Sequence, residues 1–262
     1  MLTIKALNQD HGGFSILLGD YKIHSVFQPI FQTQSKTLIG YEALVRCANN
    51  RGELISPSKL FDSTQPQLSR IKTDLVAVTL HVLNYRKYKD TITGKLFINI
   101  NPASISYLHN HQRVWKTMFK AVHNNSISRS EYNFENLVIE IVEKASDSNN
   151  TFIQQLSTFQ QQGCLLAVDD FGSGKSDLKR VKQVNPDIVK LDKTILKKLR
   201  NRPIESCWNL KKKLSLENEL IVMEGIESES DMQIAKQSGV EFVQGYYLGY
   251  PSTRPSQVAL GT

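Results

Sequence analysis

Six oxygen-bearing side chains close short apolar runs along this chain. Glu42 follows Leu38-Ile39-Gly40-Tyr41, Asn99 follows Leu96-Phe97-Ile98, and Glu140 follows Leu137-Val138-Ile139. The doublet Asp169-Asp170 follows Leu165-Leu166-Ala167-Val168, and Glu224 follows Leu220-Ile221-Val222-Met223. One further run, Ile188-Val189, ends on a cation, Lys190. Carboxylate and carboxamide oxygens without histidine or cysteine among them select hard divalent cations, Mg²⁺ or Mn²⁺ ahead of zinc. Gathered in one pocket, so many carboxylates repel one another by several kcal/mol at an effective dielectric of about 20, so protons or cations must compensate. The doublet matters most, because one carboxylate can bridge two ions about 3.5–4 Å apart. Such a pair clamps the attacking and leaving oxygens of phosphodiester hydrolysis and lowers the pKa of bound water. Lys190, with Asp192 behind it, is a candidate to orient that water or to offset phosphate charge. A single acid at a strand end is usually a helix cap or a surface ion-pair partner. Six on successive runs are hard to produce by capping.

Runs of this length read as buried strands. Eight are expected, at 26–31, 38–45, 96–100, 137–142, 165–168, 187–191, 220–224 and 242–248, with helical stretches at 68–87, 102–121, 149–162, 193–214 and 228–238. Alternation of strand and helix indicates parallel βα units. Acids where such strands end mark the catalytic face of a parallel barrel. One connection differs: only the six residues Gln32–Thr37 separate the first two strands, too few for a crossover, so this pair should be antiparallel. The expected fold is α/β, a modified TIM (β/α)8 barrel with one antiparallel strand near the N-terminus, in a single domain over residues 1–262. The polar segment 123–134 reads as a loop or insertion.

Bulk properties narrow the classes. A chain of 262 residues fits one α/β barrel, and 40% hydrophobic with 22% charged residues is ordinary for a globular protein with a sizeable core. No apolar stretch approaches the roughly 18 residues of a membrane span, and the N-terminus has no signal-peptide pattern, so a cytoplasmic location is expected. The three cysteines, Cys47, Cys164 and Cys207, have no metal or redox spacing. Net charge +7 favours an anionic partner, but the basic runs at 179–182, 197–200 and 211–213 read as solvated helix faces without interleaved aromatics, and no DNA-binding helix pair is visible. Gly172-Ser173-Gly174-Lys175-Ser176 imitates the end of a P-loop, yet Asp169 stands where that motif needs glycine. His109-Asn110-His111 lacks an acidic partner pair. Glycoside hydrolysis would leave Asp169-Asp170 and Lys190 without a use. A cysteine nucleophile finds no histidine in the strand-end set.

An ordered set of motifs carries a specific resemblance. Phe27-Gln28-Pro29-Ile30, Glu42-Ala43-Leu44-Val45-Arg46, Ile98-Asn99-Ile100, Glu140-Ile141-Val142-Glu143, Asp169-Asp170-Phe171-Gly172, Lys190-Leu191-Asp192, Glu224-Gly225-Ile226-Glu227 and Gln244-Gly245-Tyr246 stand in the order of the EAL domain. The chain resembles that domain from about residue 20 to Pro251. The resemblance implies a phosphodiesterase that opens cyclic di-GMP to linear pGpG with two Mg²⁺ or Mn²⁺ ions, often as a homodimer. It implies that Glu42, Asn99, Glu140 and Asp169 hold one ion, and Asp169 and Asp170 the other. It gives Lys190 and Gln244 places beside the attacking water and Glu224 a place beside the metals. Gln28, Leu44 and Arg46 match substrate-contacting positions, Arg46 suiting phosphate by its fork of donors. Glu143 matches the glutamate that anchors the loop after the paired aspartates.

The chain departs from the family pattern at Val142 and Asn101, and at Ser173, Lys175 and Asp177 in a loop that couples dimerisation to metal binding in the family. Every ligand position is kept. The alternative is an EAL-type receptor or interaction module that binds cyclic di-GMP without turnover.

Overall fold

Alternation of inward and outward side chains along short strands builds the site in the computed structural model, which describes residues 4–10, 12–61, 64–88, 94–119, 134–141, 150–173, 178–216 and 218–255. The chain begins with β1 (Ile4–Asp10), β2 (Gly13–Leu18), β3 (Tyr21–Gln32), β4 (Leu38–Asn49) and the short β5 (Leu54–Ile55). Next come α1 (Gln67–Lys87), β6 (Lys95–Ile100), α2 (Pro102–Asn110), α3 (Gln112–Phe119), β7 (Leu137–Ile141) and α4 (Asn150–Gln161). The remainder is β8 (Leu165–Phe171), α5 (Leu178–Val184), β9 (Ile188–Leu191), α6 (Lys193–Arg200), α7 (Leu210–Leu214), β10 (Leu220–Met223), α8 (Glu229–Ser238) and β11 (Phe242–Val243).

Strands β3, β11, β10, β9, β8, β7, β6 and β4 are hydrogen-bonded in that order, and β3 pairing with β4 closes an eight-stranded barrel. β3 runs antiparallel to both neighbours and the other barrel pairings are parallel, as the short Gln32–Thr37 connection demands. The lumen is filled by Ile30, Phe97, Val138, Ala167, Ile188 and Val222. Two residues further along the parallel strands stand Asn99, Glu140, Asp169, Lys190 and Glu224. A period of two puts these on the inner face, one layer above the apolar plug. The residues between them, Ile98, Ile139, Val168, Val189 and Met223, belong to the core packed against the helices.

Several elements differ from the expectation. Strands β1 and β2 pair as an unexpected antiparallel extension of β3, and β4 runs beyond β6, whose pairing with it ends at Ala43. The overhang rests on α1 through Ile16, Leu18, Ile23, Val45 and Cys47 against Val76, Ala77 and Leu80. Asn84 pins it, accepting from Phe14 N at 2.7 Å and donating to Phe14 O at 2.9 Å. The described part of the stretch 102–121 is two helices that break at His111, and 193–214 holds α6 and α7 with a 3₁₀ turn at Ile204–Cys207 between them. Helix α5 carries the basic run 179–182 that was expected on a solvated helix face, but Arg180 and Val181 in it are buried. The last strand is far shorter than 242–248, because the chain turns after Val243 through Leu248 N to Gly245 O at 3.1 Å. Glu143, Val142 and residues 174–177 lie outside the described residues, as does most of segment 123–134.

Candidate active site

Lys190 is the hub. Its ammonium, on a side chain 1% exposed, lies 2.9 Å from Glu140 Oε1 and Glu224 Oε1 and 3.3 Å from Glu42 Oε2 and Asp169 Oδ1. Asn99 donates through Nδ2 to Glu140 Oε2 at 2.8 Å and to Glu42 Oε1 at 3.1 Å. Gln244 Nε2 donates to Glu42 Oε2 at 2.7 Å, while the buried Oε1 of Gln244 has no hydrogen-bond partner among the described residues. Glu42 and Gln28 are directly paired across β3 and β4, so reversing β3 brings Gln28 to the same mouth.

Neighbouring aspartates on a regular strand would point to opposite faces. Here the β8–β9 register shifts between Val168 and Phe171, and Asp170 takes a left-handed φ of 58°. Bulges of this kind re-aim side chains beside active sites, and Asp tolerates that backbone better than most residues. Asp169 Oδ1 accepts the Asp170 N–H at 3.0 Å. The result is two groups sharing Asp169: Glu42, Glu140 and Asp169, then Asp169, Asp170 and Glu224, each with carboxylate oxygens within 4.8 Å of one another.

Five carboxylates against one ammonium leave a formal charge of −4. Burial, then the charge of Glu42, pushes Glu140 well above the ordinary carboxyl range despite Lys190. Burial likewise raises Glu224 to about 8, with Lys190 opposing and Asp169 adding to the rise. For Glu42 burial acts upward, but Lys190 and the Gln244 hydrogen bond outweigh it and its pKa falls below 4.5. Burial opposes the charge on Lys190, yet Asp169, Glu140, Glu224 and Glu42 together hold its pKa well above 10.5. The acids are too many for the ammonium, so the cluster keeps protons or takes up cations.

Above the cluster opens a cavity of about 290 Å³ lined by Gln28, Glu42, Asp170, Glu224 and Gln244 and also by Asp192, Lys193, Gly225, Glu227, Gly245 and Tyr246. The second set had no assigned role from sequence. Asp192 announces itself only as the cap of α6, accepting from Thr194 N at 2.9 Å. Tyr246, 52% exposed, looked like part of a strand. Leu44 and Arg46 follow Glu42 on the same strand face, and Arg46 Nη1 donates to Val45 O at 3.0 Å. All expected site residues except Glu143, which is outside the described residues, therefore belong to the barrel mouth or the strand overhang beside it.

A barrel with one reversed strand and an acid layer around a buried lysine defines the class to which the motifs pointed. The chain matches the EAL domain family over residues 15–251 and belongs to that family. It is 27% identical over 239 residues to the probable cyclic di-GMP phosphodiesterase PdeG of Escherichia coli K12, covering 87% of this chain and 44% of PdeG. It thus spans less than half the length of that curated relative. In fold it is similar to the Bacillus subtilis YkuI protein, solved with cyclic di-GMP and calcium, at TM-score 0.69 and 24% identity over 90% of this chain and 57% of that one. It is also similar to Klebsiella pneumoniae BlrP1, solved with manganese and cyclic di-GMP, at TM-score 0.69 and 20% identity over 96% of this chain and 60% of that one. Among the described residues no helix is long and apolar enough to cross a membrane.

Proposed function

We propose that this chain is a divalent-cation-dependent phosphodiesterase that opens cyclic di-GMP to linear pGpG. The carrying observation is the shared Asp169, one carboxylate common to two acid groups at a barrel mouth. The name of PdeG and the ligands of YkuI and BlrP1 give the substrate class.

The donor set suits two hard cations. Its ligands are oxygens, its charge excess calls for positive compensation, and the buried Oε1 of Gln244 is left with an acceptor to satisfy. Glu42, Glu140, Asp169 and Asn99 would hold one ion, and Asp169, Asp170 and Glu224 the second. Asn99 would use its amide oxygen, in place of the nitrogen it now turns to the carboxylates. When bound, the pair supplies charge neutralisation at the phosphate and a lowered pKa for water.

The chain's own residues do the rest. Lys190 gathers four carboxylates around its ammonium and keeps its proton, so it acts as a fixed donor at the site. Gln244 Oε1 accepts from the attacking water and so aims its lone pair. Gln28 lines the cavity, and Arg46 on the strand overhang would offer its guanidinium to a phosphate entering there. The apolar plug beneath the acids keeps bulk water from the lower side.

The test is chromatographic. Cyclic di-GMP incubated with the protein and Mn²⁺ or Mg²⁺ gives pGpG, and Glu42→Ala gives none. Intact substrate with either metal, bound but unconverted, would instead support a receptor.

A further inference from the structure

Arg200 ends α6 yet reaches the turn that follows Glu224. Its Nε donates to Asp231 Oδ1 at 2.7 Å and its Nη2 to Asp231 Oδ2 at 2.8 Å, a two-pronged pair on a carboxylate side chain only 1% exposed. The same Nη2 is 3.4 Å from Gly225 O and from Glu227 Oε2. Asp231 Oδ2 also accepts the Glu227 N–H at 2.9 Å. Both ends of the Gly225–Glu227 turn are thereby fastened to one ion pair, buried at Asp231 and open to solvent at Arg200. Its middle is fastened to the barrel: Ile226 N donates to Gln244 O at 3.1 Å, and Ile226 O accepts from Tyr247 N at 3.0 Å.

The turn needs such fastening. Gly225 sits at φ 76°, a conformation that glycine adopts freely and also leaves freely, and Glu224 is the residue just before it. Glu224 in turn belongs to only one of the two acid groups, that of Asp169 and Asp170. Bidentate Arg–carboxylate pairs fix orientation as well as energy. A buried Asp231 left without its partner would be costly, so the fastening does not open cheaply.

We propose that the Arg200–Asp231 pair is a positioning device for Glu224, setting the affinity of the Asp169–Asp170–Glu224 group for a divalent cation while leaving the Glu42–Glu140–Asp169 group unaffected. This rests on the two-cation reading of the site; neither residue of the pair lines the cavity above the acids.

Two measurements without any nucleotide test it. One is a Mn²⁺ titration resolving two sites, and the other is amide hydrogen exchange of the segment covering Gly225–Glu227 in cation-free protein. Arg200→Gln and the milder Asp231→Asn should each weaken one Mn²⁺ site about tenfold, the scale of losing a ligand's supporting hydrogen bonds, and should speed exchange in that segment. The other site stays within about twofold, and Arg200→Lys recovers part of the loss. A pair that merely joined two helices would lower the melting temperature alone. Unchanged Mn²⁺ affinities with unchanged exchange, or equal weakening of both sites, would overturn the proposal. If the native chain took up no Mn²⁺, the functional reading would fail and take this proposal with it, whereas two native sites left unchanged in both variants would remove this proposal alone.

Discussion

Lys190 shows how a single residue can be legible in sequence and still hold a surprise. Its place at the end of an apolar run marks it as a site residue, but no spacing rule says that four carboxylates lie within 3.3 Å of its nitrogen. Replacing it by methionine keeps the volume and removes the only ammonium bonded to this cluster among the described residues. Lys190→Met should abolish hydrolysis and destabilise the cation-free protein by about 3–5 kcal/mol, the usual cost of stripping a buried charge of its partner. Denaturant unfolding checks it, with added Mg²⁺ recovering part of the loss. The acids carry a second expectation. Glu224 and Glu140 have folded pKa values raised above the ordinary 4.5, so the folded state holds protons that the unfolded state has released. Buried His81, held neutral with a pKa of about 4, adds an opposing slope up to about pH 6.5, so stability of the chelator-treated protein falls as pH rises from about 6.5 to about 8. Glu42, lowered, acts below 4.5, and Lys190, raised, acts above 10.5, so neither reverses that slope. Melting temperatures across this range should decline without cation and stay level with saturating Mg²⁺, because bound cation replaces the protons. A flat profile in chelator would contradict the burial argument.

At the scale of elements, the strand endings and the reversed first pair were readable because period and connection length constrain them directly. The doublet was readable as chemistry but not as geometry: both aspartates share a face only because of the register shift before Phe171 and the left-handed Asp170. The N-terminal strand pair was hidden by polar residues such as Asn8, Gln9 and Asp10 and by Gly13, and its apolar partners are distant in sequence. The final segment misled because Tyr246 and Tyr247 resemble strand residues while glycine does the work there. A Cβ on Gly245 would fall 2.1 Å from Ile226 O and 2.3 Å from Ile226 N. Gly245→Ala should therefore push apart the turns carrying Glu224 and Gln244 and cut kcat more than it lowers the melting temperature, measured on the same preparation. Asn84→Ala removes both hydrogen bonds to Phe14 and one to Ser25 Oγ at 3.2 Å. An expected loss of about 2–3 kcal/mol follows from leaving buried partners unsatisfied. Limited proteolysis should then cut within β1 and β2 first, and unaltered resistance would show that the strand pair stands without this pin.

Across the whole molecule, charge is divided in a way composition alone conceals. Of the formal +7 overall, −4 belongs to the site, so the rest of the chain carries a formal +11. On the proposed reading, an anionic dinucleotide would be drawn to the molecule yet repelled by its bare acid cluster, so cation loading would be the step that admits it. Raising salt from about 0.05 to about 0.5 M shortens the Debye length from roughly 14 to roughly 4 Å and should raise KM with little change in kcat. The barrel separates duties: the Ile30–Phe97–Val138 plug and the helix-facing core supply cohesion, so the acid layer above can remain electrostatically frustrated. That division explains why the fold was more legible than the site's linkages. Apolar periodicity is a local signal, whereas Gln244 and Lys190 reach Glu42 only because the barrel closes.

The central claim is that two cations share Asp169, and counting bound Mn²⁺ tests it most directly. Equilibrium dialysis of the native chain at saturating Mn²⁺ should find two ions per chain, and Asp169→Asn should lose both with the fold retained. One ion or none in the native chain, or two in the variant, would contradict it.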